Sequence, residues 1–328
     1  MNRQNETPIW NATRPWTKEQ IIVSTFQDLT ATLRTIDSLP GGIIASELEA
    51  VHLSLNIFLD ATYDLLSSIN SFKGESERPD FWNRTRRADF ERLELRIQRG
   101  VFSTTMAAMA LVDHSRIFAG KYPVELYHEK VKECFSKDPL HRFVQNFRNF
   151  MTHVRITKSN WVVKHNKQGR SVFFFLTQEN LNKWDEWDSP SKSYIASNPE
   201  GVNVEQLFDD YSKEVKLFHD WFRSQVWQKH SEELREFFDC KKTYNAVNVR
   251  STWNLLIKQV FLQKKIDPYM YLDGYLLNNE IEEILSLPFR SKRQVDRIVE
   301  IVDEYGACNE ELRKAVYELF GMTERTHR

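Results

Sequence analysis

A chain of 328 residues with 41% hydrophobic and 13% aromatic residues carries enough apolar mass for one large domain or two ordinary ones. Its 28% charged residues, with only 10 Gly and 10 Pro, suit long helices better than a sandwich of short strands. The formal net charge of -1 excludes a global pull toward nucleic acid or membrane, so any such attraction must come from a local patch.

Cys134, Cys240 and Cys308 are odd in number and far apart, which argues against a disulfide framework or a paired zinc site and for a reducing cytoplasm. Met1 to Trp16 is polar with two prolines and does not read as a secretory leader. The longest uninterrupted apolar run, Met106 to Val112, is too short to span a bilayer, so a soluble protein without a membrane partner is expected.

After an arm of residues 1–16, Thr17 to Leu39 reads as a helix, with Thr17 as cap, Gln20 at the capping-box position and Pro40-Gly41-Gly42 as its end. Ser46 to Phe72 reads as a second helix on the helical spacing of Leu48, Val51, Leu55, Phe58, Leu65 and Ile69. A third runs from about Arg86 to Ala119, where Ala107, Ala108 and Ala110 permit close helix contact. Val124 to Ser136 and Pro139 to Val154 follow, the latter with Asp138 as cap and Pro139 at its first position.

The period then changes. Trp161 to Val163 and Ser171 to Leu176 read as two strands joined through Asn166-Lys167-Gln168-Gly169, a hairpin at about 160–177. Asp188 to Gly201 reads as a polar loop, and a long amphipathic helix is expected from Val204 to Phe238. Beyond residue 245 shorter helices (Ser251 to Lys265, Asn278 to Leu287, Ser291 to Tyr305, Asn309 to Phe320) form a small C-terminal helical module over 246–328. The expected fold is all-α: a helical bundle over 17–245 with a β-hairpin insertion, followed by that module.

The stretch around Phe147-Arg148-Asn149-Phe150-Met151-Thr152-His153 carries the chemistry. From His141 to Arg170 there are seven Lys or Arg and no Asp or Glu, a local positive field in a nearly neutral chain. On a helix, Phe143, Phe147, Phe150 and Val154 fall within about 60° of one another as a core stripe. Arg142, Asn146, Asn149 and His153 form a second, polar stripe of about the same width, which points to a polar contact because Asn is a poor helix former. Arg148 lies about 140° from His153, so the two converge only if the helix loosens or two copies meet.

These residue types suit metal-free RNA cleavage. The ribose 2′-hydroxyl attacks the adjacent phosphorus, which requires a base, an acid and a cation for the phosphorane charge. Histidine titrates near neutrality and serves as base or acid. Arginine's planar fork holds two phosphate oxygens. No metal or other cofactor is required.

Arg148-Asn149-x-x-x-His153 resembles the R-x(4–6)-H motif of the HEPN superfamily, which usually has Asn, Asp or His directly after the arginine. Leu111-Val112-Asp113-His114-Ser115-Arg116 also looks like a phrase of uncharacterised bacterial HEPN-type proteins. The resemblance covers mainly residues 17–238 and implies a helical bundle that works as a homodimer, with the active site between two paired motif helices. It further implies a metal-independent endoribonuclease of the toxin or phage-defence kind, with RNA as substrate and an antitoxin or other regulatory protein as partner. Arg148 would stabilise the phosphorane, Asn149 orient, and His153 act as base or acid, with Arg142, Asn146, Arg155 and Lys158 contacting RNA. The hairpin after the motif departs from the minimal bundle.

Plainer alternatives stand beside this. His153 suits a helix C-terminus through the macrodipole, and Arg148 suits an ion pair. A second match, Arg223-x6-His230, sits among Glu232, Glu233 and Glu236, a poorer setting for phosphate. Asp113, His114 and Arg116 suit a buried polar network. A bundle with a polar seam also serves as an interaction module, or as an inactive relative that only binds RNA. No G-x-x-x-x-G-K-[ST], G-x-G-x-x-G or G-x-S-x-G pattern is present, which argues against P-loop, Rossmann and common serine-hydrolase chemistry.

Overall fold

Thr17 opens the first helix through a capping box: its hydroxyl accepts the Gln20 N–H at 3.1 Å, and the Gln20 side chain accepts the Thr17 N–H at 2.9 Å. The computed structural model describes residues 7–135, 139–154, 160–166 and 169–321, and is all-α with one small antiparallel sheet. The helix α1 (Lys18–Gln27) stops well short of Leu39. Asp28 takes an extended conformation, and its carboxylate caps α2 (Leu29–Asp37) by accepting the Ala31 N–H at 2.9 Å.

Pro40-Gly41-Gly42, expected as a stop, instead opens α3 (Pro40–Ser76), where proline's missing N–H is no loss. A Cβ on Gly41 would lie 1.9 Å from the Glu233 carbonyl oxygen, so only glycine permits this backbone approach.

The chain divides into two compact units, Ile44–Ser231, and Met1–Ile43 with Glu232–Arg328. The boundary expected near residue 245 falls instead inside the unbroken α10 (Ser231–Leu255), so the change of sequence texture there marks no change of unit.

The unit Ile44–Ser231 is built on α3, α4 (Arg87–Lys121), α5 (Tyr127–Phe135), α6 (Pro139–His153) and α9 (Val204–Lys229). Phe58, Leu65, Ile97, Phe118, Phe147 and Phe208 are almost wholly buried in its core. Gly100 brings α4 against α3: a Cβ there would meet the Leu65 side chain at 3.0 Å, and the Thr104 hydroxyl donates to the Ala61 carbonyl at 3.0 Å. Ala108 is buried as expected, while Ala110 is exposed. Asp113, His114 and Arg116 are exposed rather than a buried network; His114 Nδ1 shares a 2.6 Å hydrogen bond with the Ser54 hydroxyl.

The hairpin forms as β1 (Asn160–Asn166) and β2 (Gly169–Leu176), paired Trp161 with Phe174 and Val163 with Val172. A third strand, β3 (Val202–Asn203), adds to β2. After α7 (Gln178–Leu181), the expected polar loop holds α8 (Ser189–Ala196), which Asp188 caps by accepting the Ser191 N–H at 2.9 Å. The helix expected over 204–238 breaks at His230, between α9 and α10.

In the other unit, α10 passes into a π-helix (Leu256–Leu262) and a 3₁₀ turn (Pro268–Gly274), followed by α11 (Asn278–Ser286), α12 (Lys292–Val302) and α13 (Glu310–Leu319). Ile257, Ile284, Val295 and Leu312 are buried at its centre.

By length and composition α3 is apolar enough to cross a membrane, with 28% of the relevant window buried inside the protein. Counting uninterrupted apolar runs passes over it because Ser, Asn and Thr punctuate the helix.

Candidate functional site

Phe143, Phe147 and Phe150 are fully buried on one face of α6, with Val144 and Met151 on its flank. Phe143 stacks on Trp187 with centroids 5.5 Å apart and meets Tyr194 at 4.9 Å, while Phe150 meets Trp184 and Trp187. Val154, assigned to this stripe from its spacing, is 42% exposed because it follows the last helical turn.

The polar stripe has two fates. At its N-terminal end it joins α6 to α8: Arg142 Nε donates to Asp188 Oδ2 at 2.8 Å, Arg142 Nη1 to Gln145 at 2.7 Å, and Asn146 to the Ser191 hydroxyl at 3.0 Å. Arg142 and Asn146 thus join α6 to α8, although Arg142 stays exposed. At its C-terminal end the stripe is open. Arg148 is half-buried and donates from Nη1 to Asn149 Oδ1 at 3.1 Å, and His153 is exposed with no hydrogen bond or ion pair among the described residues.

The helix does not loosen before His153. The Val154 N–H donates to the Phe150 carbonyl at 2.9 Å, continuing the α-helical ladder past the motif. Arg148 and His153 of one chain therefore stay about 140° apart on a regular helix. Within a single chain they do not share a site.

Of the seven cations between His141 and Arg170, structure accounts for three. Arg142 pairs with Asp188, Lys164 with Glu200, and Arg170 donates to the Ser76 carbonyl at 2.5 Å beneath the Trp82 ring. Carboxylates distant in sequence thus neutralise part of a stretch that contains none. Arg155, Lys158 and Lys167 lie outside the described residues. Arg148 makes no salt bridge among the described residues.

A further set of cations comes from α4, which runs antiparallel to α6. Met106 Sδ meets the Thr152 hydroxyl at 4.0 Å near the end of α6, and the charge of Arg116 reaches His141 near its start. Going back from Met106 by sevens gives Arg99 and Arg92, which lie on nearly the same face. With Leu95, Arg96, Gln98 and Phe102 they line a shallow cleft. Arg99 stands about 10 Å along the axis from Met106. Arg92 pairs loosely with Asp89 at 3.4 Å, while Arg96 and Arg99 are exposed and make no salt bridge among the described residues. These arginines escaped the sequence reading because Glu91 and Glu94 are interleaved; their helical spacing was the available signal.

No family model, curated protein or solved structure matches this chain. Its chemistry rests on its own residues.

His141, beside the motif, belongs to the core. Its Nδ1 shares a 3.0 Å hydrogen bond with the Tyr211 hydroxyl, and its ring packs on Phe135. Burial, aided by the charges of Arg116 and Arg142, pushes its pKa down to about 4, so it is neutral at pH 7. Burial raises the Tyr211 hydroxyl well above the usual phenol range. In the second match, Arg223 pairs with Asp220 at 3.6 Å and His230 packs edge-on to Tyr122 at the end of α9.

Arg148, Asn149 and His153 thus lie on the last turns of α6, the first two half-buried and the histidine exposed. The arginine face of α4 leads toward it.

Proposed function

We propose that this protein is an RNA-directed, metal-independent endoribonuclease of the HEPN kind, whose site is completed when two copies bring their α6 ends together. The observation that carries this reading is the arginine face Arg92, Arg96 and Arg99, which ends at the Met106–Thr152 contact beside Arg148 and His153. Such a track binds a phosphate backbone irrespective of sequence, and each neutralised phosphate adds a salt-dependent increment. At its end the half-site supplies an arginine fork for phosphorane charge and an exposed imidazole for proton transfer. Asn149, fixed by Arg148 through its carbonyl, keeps its amide N–H groups to orient a hydroxyl. The two-copy requirement follows from the regular helix, which separates Arg148 from His153 in each chain.

A second reading is a protein that binds RNA without cutting it. It is favoured by His153 having no partner among the described residues to fix its ring, since catalytic imidazoles are commonly oriented by a second group.

Incubation of the purified protein with mixed RNA and single-stranded DNA in EDTA, beside a folded His153→Ala variant, separates the two. Cleavage of RNA alone, ending in 2′,3′-cyclic phosphate and lost in the variant, is expected of the nuclease. Undiminished binding with no cleavage in either protein would leave the binder.

A further inference from the structure

The unit containing residues 232–328 forms a half-open cavity of about 270 Å³ between the π-helix, the 3₁₀ turn, α12 and α13. Its walls are core residues: Ile257, Ile298, Val299, Leu312, Val316 and Phe320 are between 2% and 8% exposed, yet all face this space. Protein cores are close-packed, and an apolar hollow of this size in so small a core leaves its lining without partner atoms on one side. A second observation concerns the backbone. Leu256, Ile257 and Phe261 reach the cavity from the π-helix, and the Phe261 carbonyl accepts the N–H of Ile266, five residues on, at 2.9 Å. π-helical turns are rare, and they occur frequently at functional sites because the wider turn re-aims side chains.

We propose that this cavity is a binding site for a small, neutral, largely apolar molecule. This inference is independent of the reading of α6.

The lining decides the ligand class. Among the described residues the only charged one in the wall is Asp303, and both its oxygens are already occupied, by the Ala307 N–H at 2.6 Å and the Cys308 N–H at 3.0 Å. Among the described residues the wall carries no cation to receive a carboxylate or phosphate head, and burying such a charge unpaired is heavily penalised. The Tyr275 hydroxyl donates to the Pro268 carbonyl at 3.0 Å and retains acceptor capacity, so the ligand brings at most a hydroxyl or amine donor. The volume lies just below the usual range for small-molecule sites, ~300–1,000 Å³.

The test uses the full chain and N-phenyl-1-naphthylamine, a neutral apolar fluorophore. Saturable binding of one probe per chain is expected, with intermolecular nuclear Overhauser effects to the methyls of Val299, Leu312 and Val316. Decanol is expected to displace the probe, with decanoate weaker by about tenfold or more. Val299→Phe and Val316→Phe, which fill the space, are expected to weaken binding by about tenfold without lowering the unfolding temperature. Should either variant fail to fold, the methyl contacts and the decanol–decanoate comparison on the unaltered chain still decide. Absence of saturable binding, methyl contacts only elsewhere, or equal competition by decanoate would overturn the proposal.

Discussion

Arg142 grips Asp188 with two nitrogens, Nε at 2.8 Å and Nη2 at 2.5 Å from the same oxygen, while the other carboxylate oxygen of Asp188 caps α8. One aspartate thereby starts a helix and fastens it to α6. Loss of an N-cap costs ~0.5–2 kcal/mol, and a largely exposed ion pair contributes ~0–1 kcal/mol. Asp188→Ala is accordingly expected to destabilise the protein by about 1–3 kcal/mol in urea unfolding, with Arg142→Ala below about 1 kcal/mol. Arg142→Ala is also expected to leave RNA affinity unchanged. A loss of affinity comparable to that of Arg99→Ala would return Arg142 to the RNA-contacting set.

Asp188 also shows where the sequence was legible. The capping box at Thr17, the core stripe of α6 and the presence of the hairpin follow from local spacing. Asp188-Ser189-Pro190 carried an equally good helix start, but the Ser and Asn that follow read as loop, and the tertiary contacts of Tyr194 and Ser191 with α6 hold α8 in place. The role of Pro40-Gly41-Gly42 depends on the approach of the Glu233 backbone, which no local pattern reveals. For the site, Arg148, Asn149 and His153 were legible as residue types. That Arg142 and Asn146 bond to α8, and that Arg99 lies on nearly the same face as Met106 where α4 meets α6, required the neighbouring helices.

Two buried histidines are expected to contribute to the acid response. Burial first, and then Arg116 and Arg142, hold His141 at about 4; burial also takes His219 to about 4, with Asp220 opposing and His52 assisting. In the unfolded chain both titrate near ~6.5. As pH falls, the unfolded state therefore binds protons first, so this contribution is complete above about 6.5 and is lost progressively toward 4. At roughly 1.4 kcal/mol per pH unit, each histidine accounts for at most about 3.5 kcal/mol over that window. Unfolding measured at pH 7 and pH 4.5 is expected to show this loss, and the double variant His141→Phe, His219→Phe to show a much shallower one. An equally steep loss in the double variant would place the acid sensitivity on other groups.

The arginine face of α4 makes a prediction about salt. If Arg96 and Arg99 each neutralise a phosphate, replacing either with Ala reduces the slope of log affinity against log salt by about 0.7–0.9. The weakening is expected to be nearly uniform across RNA sequences, since phosphate contacts carry little sequence information. Single-strand RNA binding titrated at several salt concentrations reads this directly. An unchanged slope in Arg96→Ala, Arg99→Ala would remove the track from the binding surface.

The regular end of α6 yields the sharpest test of the composite site. Arg148→Ala and His153→Ala are each expected to abolish cleavage alone. When the site draws Arg148 from one copy and His153 from the other, a mixed dimer of the two variants retains one intact pair, because two-fold symmetry places each copy's missing group in the other site. Random re-association makes half of the dimers mixed, each with one of two sites working, so about a quarter of unaltered activity is expected to return. The same mixture held below the dimerisation concentration is expected to stay inactive. Failure to regain activity, with mixed dimers shown to form, would mean that Arg148 and His153 act from the same chain, which the unbroken ladder to Val154 does not allow without unwinding α6.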